Sequence, residues 1–287
     1  MNIKGVIVAA GYGSRFLPAT KTIPKEMLPL IDKPAIAFIV EEFLQAGIRE
    51  ILIITSRRKK AMEDYFDREV ELEEVFTAES KGAALEIIRP SEATFFFTRQ
   101  QKMNGTGNAL LLGESFTGES PFVVAYPDDL VFSNTPLSKQ LIEAHRQTGK
   151  SVLAVKNFAG KDVSRYGVID PASNENPYLV RQLVEKPSKG HEPSHLVSLG
   201  RYLFTPAIYQ HLREGLKKHK SGEYYHVPAI NALAKNGLMA ALDFEGDRLD
   251  TGDPIGFLEA TCRYALSHPK YREKARALFE QLGKCST

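Results

Sequence analysis

The sequence predicts an α/β fold: a mostly parallel or mixed central sheet flanked by helices, with further helices at its C-terminal end. Three observations predict it. Apolar runs at 6–9, 51–55 and 121–126 carry no polar alternation, the pattern of strands buried on both faces of a parallel sheet. Segments of helical period separate these runs, so strands and helices alternate along the chain. Glycine turns and carboxylates then fall just past the strand ends, the edge at which such sheets bind ligands.

The first strand ends in Gly11 and Gly13. Glycine there permits backbone conformations and a closeness of approach that a Cβ blocks. Successive N–H groups of such a turn can point at one anion. Arg15 adds a forked cation and Lys25 a mobile one, so the stretch describes a phosphate site. It is not a dinucleotide fingerprint, which needs a third glycine where Phe16 stands. Nor is it a P-loop, because no Gly-Lys-Ser/Thr run follows.

Residues 35–46 set Ile36, Phe38, Ile39, Phe43 and Leu44 against Glu41, Glu42 and Gln45, a helix that Gly47 ends. With the strand at 51–55 this makes a strand–helix–strand unit, so the first two strands are expected to be parallel. The basic run 57–60 is expected to be a solvated opening of a helix rather than an anion site. Residues 69–89 are expected to be mostly helical, with Glu71, Glu73 and Glu74 exposed. Phe95, Phe96 and Phe97 read as a strand with core aromatics that delivers Arg99 and Gln100 to a loop. A second glycine turn, 104–109, leads into a helix at 109–112. The strand at 121–126 ends in Pro127-Asp128-Asp129, and a helix at 138–148 and a strand at 151–155 follow.

Past residue 156 the texture changes. Short strands at 168–169, 179–184 and 196–204, with turn residues between them, read as a second half that covers the first and holds another substrate. Helices are expected at 206–218 and 227–236, a strand at 238–244, a turn at 250–253 and terminal helices at 254–267 and 271–282. Asp253 and Pro254 fit the cap and first position of a helix. No repeat, low-complexity segment or linker divides the 287 residues, so a single domain is expected.

A net charge of +2 is too near neutral to draw nucleic acid or a membrane surface by field alone. No apolar run approaches the ~20 residues of a spanning helix. Cys262 and Cys285 have no metal-type spacing and give no disulfide framework, and no basic-then-apolar leader opens the sequence. A cytoplasmic protein is therefore expected. His191 and His195 lie in a Gly/Pro-containing loop and are expected to be solvated rather than a metal pair.

The stretch 10–29 resembles the signature of sugar-phosphate nucleotidyltransferases, Ala-Gly-x-Gly-Thr-Arg-x-x-Pro followed by Pro-Lys-x-x-x-Pro. Ala10, Gly11, Gly13, Arg15, Pro18, Pro24, Lys25 and Pro29 match it. Ser14 stands where the family usually has Thr and keeps the hydroxyl. The longer run 17–30 is similar to the bacterial branch that uses UTP and glucose 1-phosphate. Later motifs follow in order to about Phe257. The resemblance implies a Rossmann-like (GT-A-like) nucleotidyltransferase fold, with a nucleotide-binding half at about 1–156 and a sugar-phosphate-binding half with C-terminal helices at about 157–287. It implies Mg²⁺-dependent, in-line attack of glucose 1-phosphate on the α-phosphorus of UTP, giving UDP-glucose and pyrophosphate. Both reactants are anions, so charge neutralisation and positioning supply most of such catalysis.

By that resemblance Arg15 and Lys25 are catalytic cations. Ala10, Gly11, Gly13 and Ser14 cradle the nucleotide, and Gln100 and Gly105 read the base. Asn108 replaces the His common in uridylyltransferases, which leaves UTP against dTTP open. Asp128 and Asp250 hold Mg²⁺, although Pro-Asp-Asp taken alone is equally a polar turn. Glu185 and Lys186, in Val-Glu-Lys-Pro, bind the sugar phosphate together with Glu26, Gly167 and Gly200. Gly222-Glu223 is similar to the family's Gly-Glu, but His226-Val227-Pro228 replaces its Leu-Thr-Asp. The family suggests a homo-oligomer, dimer or tetramer, with the terminal helices as the place to look for its interface. Competing readings are the same chemistry with dTTP or another sugar phosphate, a non-catalytic nucleotide-sugar sensor, and a metal-dependent glycosyltransferase. The intact Arg15, Lys25, Asp128 and Asp250 argue against the sensor.

Overall fold

The structure, a computed structural model, describes residues 2–284, and Cys285 lies outside them. The first half runs β1 (Lys4–Val8), β2 (Pro29–Leu30), β3 (Lys33–Pro34), α1 (Ala35–Gln45), β4 (Glu50–Thr55), α2 (Lys60–Phe66), α3 (Val70–Ala78), α4 (Gly82–Ile88), β5 (Thr94–Arg99), α5 (Thr106–Leu111), α6 (Glu114–Thr117), β6 (Phe122–Ala125), β7 (Asp129–Phe132), α7 (Leu137–Thr148) and β8 (Ser151–Asn157). The second half adds β9 (Gly167–Pro171), β10 (Tyr178–Glu185), β11 (Leu196–Phe204), α8 (Ala207–Lys218), α9 (Val227–Lys235), β12 (Met239–Asp243), β13 (Asp247–Asp250), α10 (Pro254–Ser267) and α11 (Arg272–Lys284).

Among the described residues nine strands form one sheet, in the order β5-β4-β1-β6-β11-β8-β12-β10-β9. The strands β5, β4, β1 and β6 are mutually parallel, as the strand–helix–strand pattern requires. The second half makes the sheet mixed: β11 runs antiparallel to both β6 and β8, β12 is parallel to β8, and β10 is antiparallel to β12 and β9. The apolar runs feed both faces. Ile7, Ile51, Ile53 and Val123 enter the core on one side, and Val6, Val8, Leu52, Ile54 and Val124 the core on the other. Each such side chain contributes about 1.5–3 kcal/mol on burial, which is why these runs have no polar alternation.

Two expectations change, and one feature was not expected. Phe96 and Phe97 are 41% and 37% exposed rather than core, because β5 is the outermost strand and α3 and α4 bury none of their described residues. Glu42, expected on the polar side of α1, is buried and paired with Arg201 of β11 at 3.2 Å. A two-stranded antiparallel ribbon, β7 with β13, lies apart from the main sheet and carries no expectation from the sequence. Asp253 caps α10 as expected, accepting from Ile255 N at 3.0 Å and Gly256 N at 3.1 Å. No helix among the described residues is long and apolar enough to cross a membrane.

Candidate active site

The site is assembled at the carboxyl ends of β1, β5 and β6. After β1 the chain turns through Gly13, whose φ of +68° is the left-handed region that suits glycine. The turn is fixed by Thr20, whose Oγ1 donates to the Gly13 carbonyl at 2.7 Å. Arg15 is exposed in the helical turn Ser14–Phe16 and donates to the Gly252 carbonyl at 3.3 Å. Lys25 lies in a second short turn, Lys25–Met27. Its Nζ donates to Asp128 Oδ2 at 2.5 Å.

After β5, Gln100 is buried, and its Nε2 donates to Asn104 Oδ1 at 3.2 Å and to the Gly105 carbonyl at 3.1 Å. Gly105 has φ +103°, and a Cβ there would lie 2.3 Å from the Tyr224 carbonyl oxygen. Only glycine allows this approach, which two backbone bonds seal: Tyr224 N to Asn104 O and Gly107 N to Tyr224 O, both 2.8 Å.

Asp128 and Asp250 are 122 residues apart in sequence, and the β7–β13 ribbon joins them by placing Asp250 opposite Asp129. A Cβ on Gly252 would meet Asp250 Oδ1 at 2.9 Å, Asp128 Oδ2 at 3.2 Å and an Arg15 guanidinium nitrogen at 3.3 Å. Both carboxylates and the arginine therefore converge on a space kept open by a missing side chain. Burial pushes the Asp128 carboxyl up, but Lys25, by charge and hydrogen bond, and Arg15 outweigh it and hold the group below its ordinary value. Asp129 is engaged differently. Burial pushes its carboxyl up despite Arg248, whose Nε donates to Asp129 Oδ1 at 2.6 Å. The same guanidinium reaches Asp250 Oδ2 at 3.1 Å. Arg248 thus bridges the two strands of the ribbon.

No cluster of three or more His, Cys, Asp or Glu side chains suited to a metal exists among the described residues. The donor set at Gly252 is a pair of hard carboxylates. A hard divalent cation such as Mg²⁺ fits it, since Mg²⁺ takes one or two carboxylates and fills its other positions with substrate phosphates and water.

Two cavities adjoin. The smaller, about 320 Å³, is lined by Ala10, Gly11, Ser14, Lys25, Gln100, Gly105 and Asp128. The larger, about 840 Å³, is lined by Gly167, Glu185 and Lys186, with Arg165, Tyr166, Tyr202, Tyr225 and His226. Thr106, Tyr126 and Glu223 line both. Tyr126 Oη and Ser198 Oγ are buried at the border of the larger cavity and make no hydrogen bond of good geometry among the described residues, although Thr106 and Tyr202 are their respective polar neighbours. Lys186 has φ +49°, a conformation that L side chains rarely adopt, and its N–H is held by the Tyr166 carbonyl at 3.0 Å. Burial pushes the His226 imidazole down to about 4, so it is neutral at pH 7. Its Nδ1 is hydrogen-bonded to Thr106 Oγ1 at 2.7 Å.

Two of the residues expected to contact the sugar phosphate stand apart from Glu185 and Lys186. Glu26 lies in the wall of the smaller cavity, with both carboxylate oxygens bonded to Lys59. Gly200 borders neither cavity described; it sits at the irregular register of β11, and its N–H donates to Asp129 Oδ2 at 2.7 Å. The expectation of a fully solvated basic run at 57–60 also changes, since Lys59 is only 4% exposed. The sequence reading missed Thr106, Tyr126, Ser198 and Tyr202 on the cavity walls, and Arg248. Only His226 had a signal, as a departure from the family's motif.

The family model described as nucleotidyl transferase matches residues 4–267. The chain is 44% identical over 282 residues to a UTP–glucose-1-phosphate uridylyltransferase of Staphylococcus epidermidis, covering 97% of this chain and 98% of that one. It is 43% identical over 283 residues to the protein of that name from Staphylococcus haemolyticus, covering 98% of each. Among solved structures it is similar to UTP-bound UGPase from Acinetobacter baumannii, with TM-score 0.90, 32% identity and coverage of 98% of this chain and 100% of that one. A UDP-glucose pyrophosphorylase complexed with UDP-glucose superimposes with TM-score 0.81 at 38% identity, covering 93% and 100%.

Proposed function

The chain belongs to the nucleotidyl transferase family, and from that premise we propose that it transfers a uridylyl group from UTP to α-D-glucose 1-phosphate, giving UDP-glucose and pyrophosphate. The observation that carries this reading is the convergence of Asp128, Asp250 and Arg15 on Gly252, with Lys25 bonded to Asp128, at the edge of a paired cavity.

In this reading the residues divide the work as follows. Arg15 and Lys25 neutralise the triphosphate and the charge that builds as pyrophosphate leaves. Asp128 and Asp250 would hold the divalent cation, Mg²⁺, which when bound neutralises phosphate oxygens. The turn at Ala10, Gly11, Gly13 and Ser14 presents backbone N–H groups to the triphosphate. Gln100 spends its amide donors on Asn104 and on the Gly105 carbonyl, which leaves Oε1 to accept from the N3–H of a uracil ring. Cytosine has no N3–H, so this contact disfavours CTP; thymine has one. Lys186 meets the sugar phosphate as a point charge, Glu185 accepts from sugar hydroxyls, and Gly167 leaves room beside Glu185. The attacking phosphate is already ionised, so no general base is required. The proposal extends to a cytoplasmic homo-oligomer, with exposed Ile255, Leu258 and Leu278 on α10 and α11 as the apolar surface to test.

The test is pyrophosphate release from UTP, dTTP, CTP, ATP and GTP with glucose 1-phosphate, with and without Mg²⁺. Metal-dependent preference for UTP is expected. A dTTP preference would keep the mechanism and move the base assignment, and silence with every nucleotide would overturn the reading. Lys25→Ala is expected to lower kcat about 100–1,000-fold with the thermal unfolding transition retained.

A further inference from the structure

Lys59 belongs to the basic run at 57–60, yet its side chain is buried. Its ammonium donates to Glu26 Oε1 at 2.7 Å, Glu26 Oε2 at 2.8 Å and the Ala9 carbonyl at 2.6 Å. These three acceptors match the three donors of an ammonium. Each lies on a separate part of the site. Ala9 follows β1 and leads directly into the Gly11 turn, and its own N–H is bonded to Ile54 of β4 at 2.8 Å. Glu26 is the residue next to Lys25. Lys59 itself immediately precedes α2 and is anchored there by its N–H on the Ser56 carbonyl at 3.1 Å. The turn Lys25–Met27 is three residues long and has no side-chain cap; beside the Lys25–Asp128 bond and the packing of Met27 on the core, Glu26 fastens it to Lys59 and, through Lys59, to the end of β1.

Stability alone does not account for this pair. Burial pushes the Glu26 carboxyl up and the Lys59 ammonium down from their ordinary values. A buried ion pair is commonly no more stabilising than apolar side chains of similar volume, whereas removing one partner alone is strongly destabilising. What an apolar pair cannot do is bond the Ala9 carbonyl and the backbone-adjacent carboxylate at once and so fix two loops in register. We propose that Lys59 is a positioning residue for nucleotidyl transfer: through Glu26 and the Ala9 carbonyl it sets the catalytic Lys25 against the phosphate turn. This rests on the reading of Lys25 given above.

The test compares wild type, Glu26→Gln and the paired apolar variant Lys59→Met/Glu26→Met, with kcat and both KM values taken from pyrophosphate release and folded sites counted by UTP titration. Wild-type turnover with UTP and glucose 1-phosphate tests the functional reading separately. Given that turnover, the paired variant is expected to unfold near the wild-type temperature yet lose about 10–100-fold in kcat per folded site, the scale of a misplaced catalytic group. Its KM for glucose 1-phosphate is expected to stay within about twofold, since Lys59 touches nothing on the sugar side. Glu26→Gln keeps volume and one acceptor, and a smaller loss in kcat with the same KM pattern is expected. A folded paired variant, or a folded Glu26→Gln if the pair does not fold, with kcat per site equal to wild type would overturn the proposal. So would a loss confined to KM for the sugar phosphate.

Discussion

His226 shows how far a single side chain's environment departs from its sequence context. In the sequence it is a polar residue standing where the family has Leu; in the structure burial makes it a neutral ring packed near Tyr202 and hydrogen-bonded to Thr106. Its folded value of about 4 lies below the ordinary 6.5, so the unfolded chain binds the proton more readily. The stability this residue contributes is complete above pH 6.5 and is lost as pH falls toward 4, at up to about 1.4 kcal/mol per pH unit. A His226→Asn variant is therefore expected to show a flatter fall of unfolding free energy between pH 6.5 and 4 in urea titrations. An unchanged slope would mean that the ring is not the titrating group. The loops at 10–29 and 127–129 stood out at this scale because paired glycines, Arg15, Lys25 and strand-end carboxylates are the residue types that the proposed triphosphate site requires. Lys59 was not, because a buried cation inside a run of four looks like a solvated one until its partner, Glu26, is seen beside it.

Among the elements, long apolar runs and long helical periods were legible, and β7 and β13 were not. Each is four residues long and opens on an aspartate, Asp129-Leu130-Val131-Phe132 and Asp247-Arg248-Leu249-Asp250, so neither gives the unbroken apolar run that marks the equally short β6. Their pairing nevertheless brings Asp128 beside Asp250. Arg248 ties the ribbon together from inside, bonding Asp129 and Asp250 at 2.6 and 3.1 Å. Its value is raised: burial opposes the charge, and the two carboxylates outweigh it. If this guanidinium orients Asp250, Arg248→Met should weaken divalent-cation binding about 10–100-fold, the usual consequence of losing a group that orients a ligand. Mn²⁺ titration of the nucleotide-free protein reads this without turnover. Wild-type Mn²⁺ affinity in a folded Arg248→Met protein would separate the arginine from the metal site.

At the scale of the whole molecule, the expected two halves are one sheet. The change in texture past residue 156 does not divide the sheet: β11 of the second half inserts between β6 and β8 of the first. Sequence periodicity carries no record of such an insertion, because antiparallel partners as distant as Phe122 and Phe204, or Val152 and Leu203, leave no local pattern. The insertion has a functional consequence. Tyr126 follows β6, and its N–H is bonded to the Gly200 carbonyl of β11 at 3.3 Å, so a residue of the first half stands in the wall of both cavities. Its buried hydroxyl has Thr106 as a polar neighbour but makes no hydrogen bond of good geometry among the described residues, and a buried hydroxyl left poorly paired costs up to about 1–3 kcal/mol. A ligand in the larger cavity is the natural partner for it. Tyr126→Phe is therefore expected to leave the free protein as stable as wild type or more so, to raise KM for glucose 1-phosphate about 5–20-fold as one hydrogen bond is lost, and to leave UTP affinity unchanged. Thermal unfolding, UTP titration and steady-state kinetics on one preparation decide it. A rise in KM for UTP instead would assign the hydroxyl to the nucleotide and place the boundary between the two subsites on the other side of Tyr126.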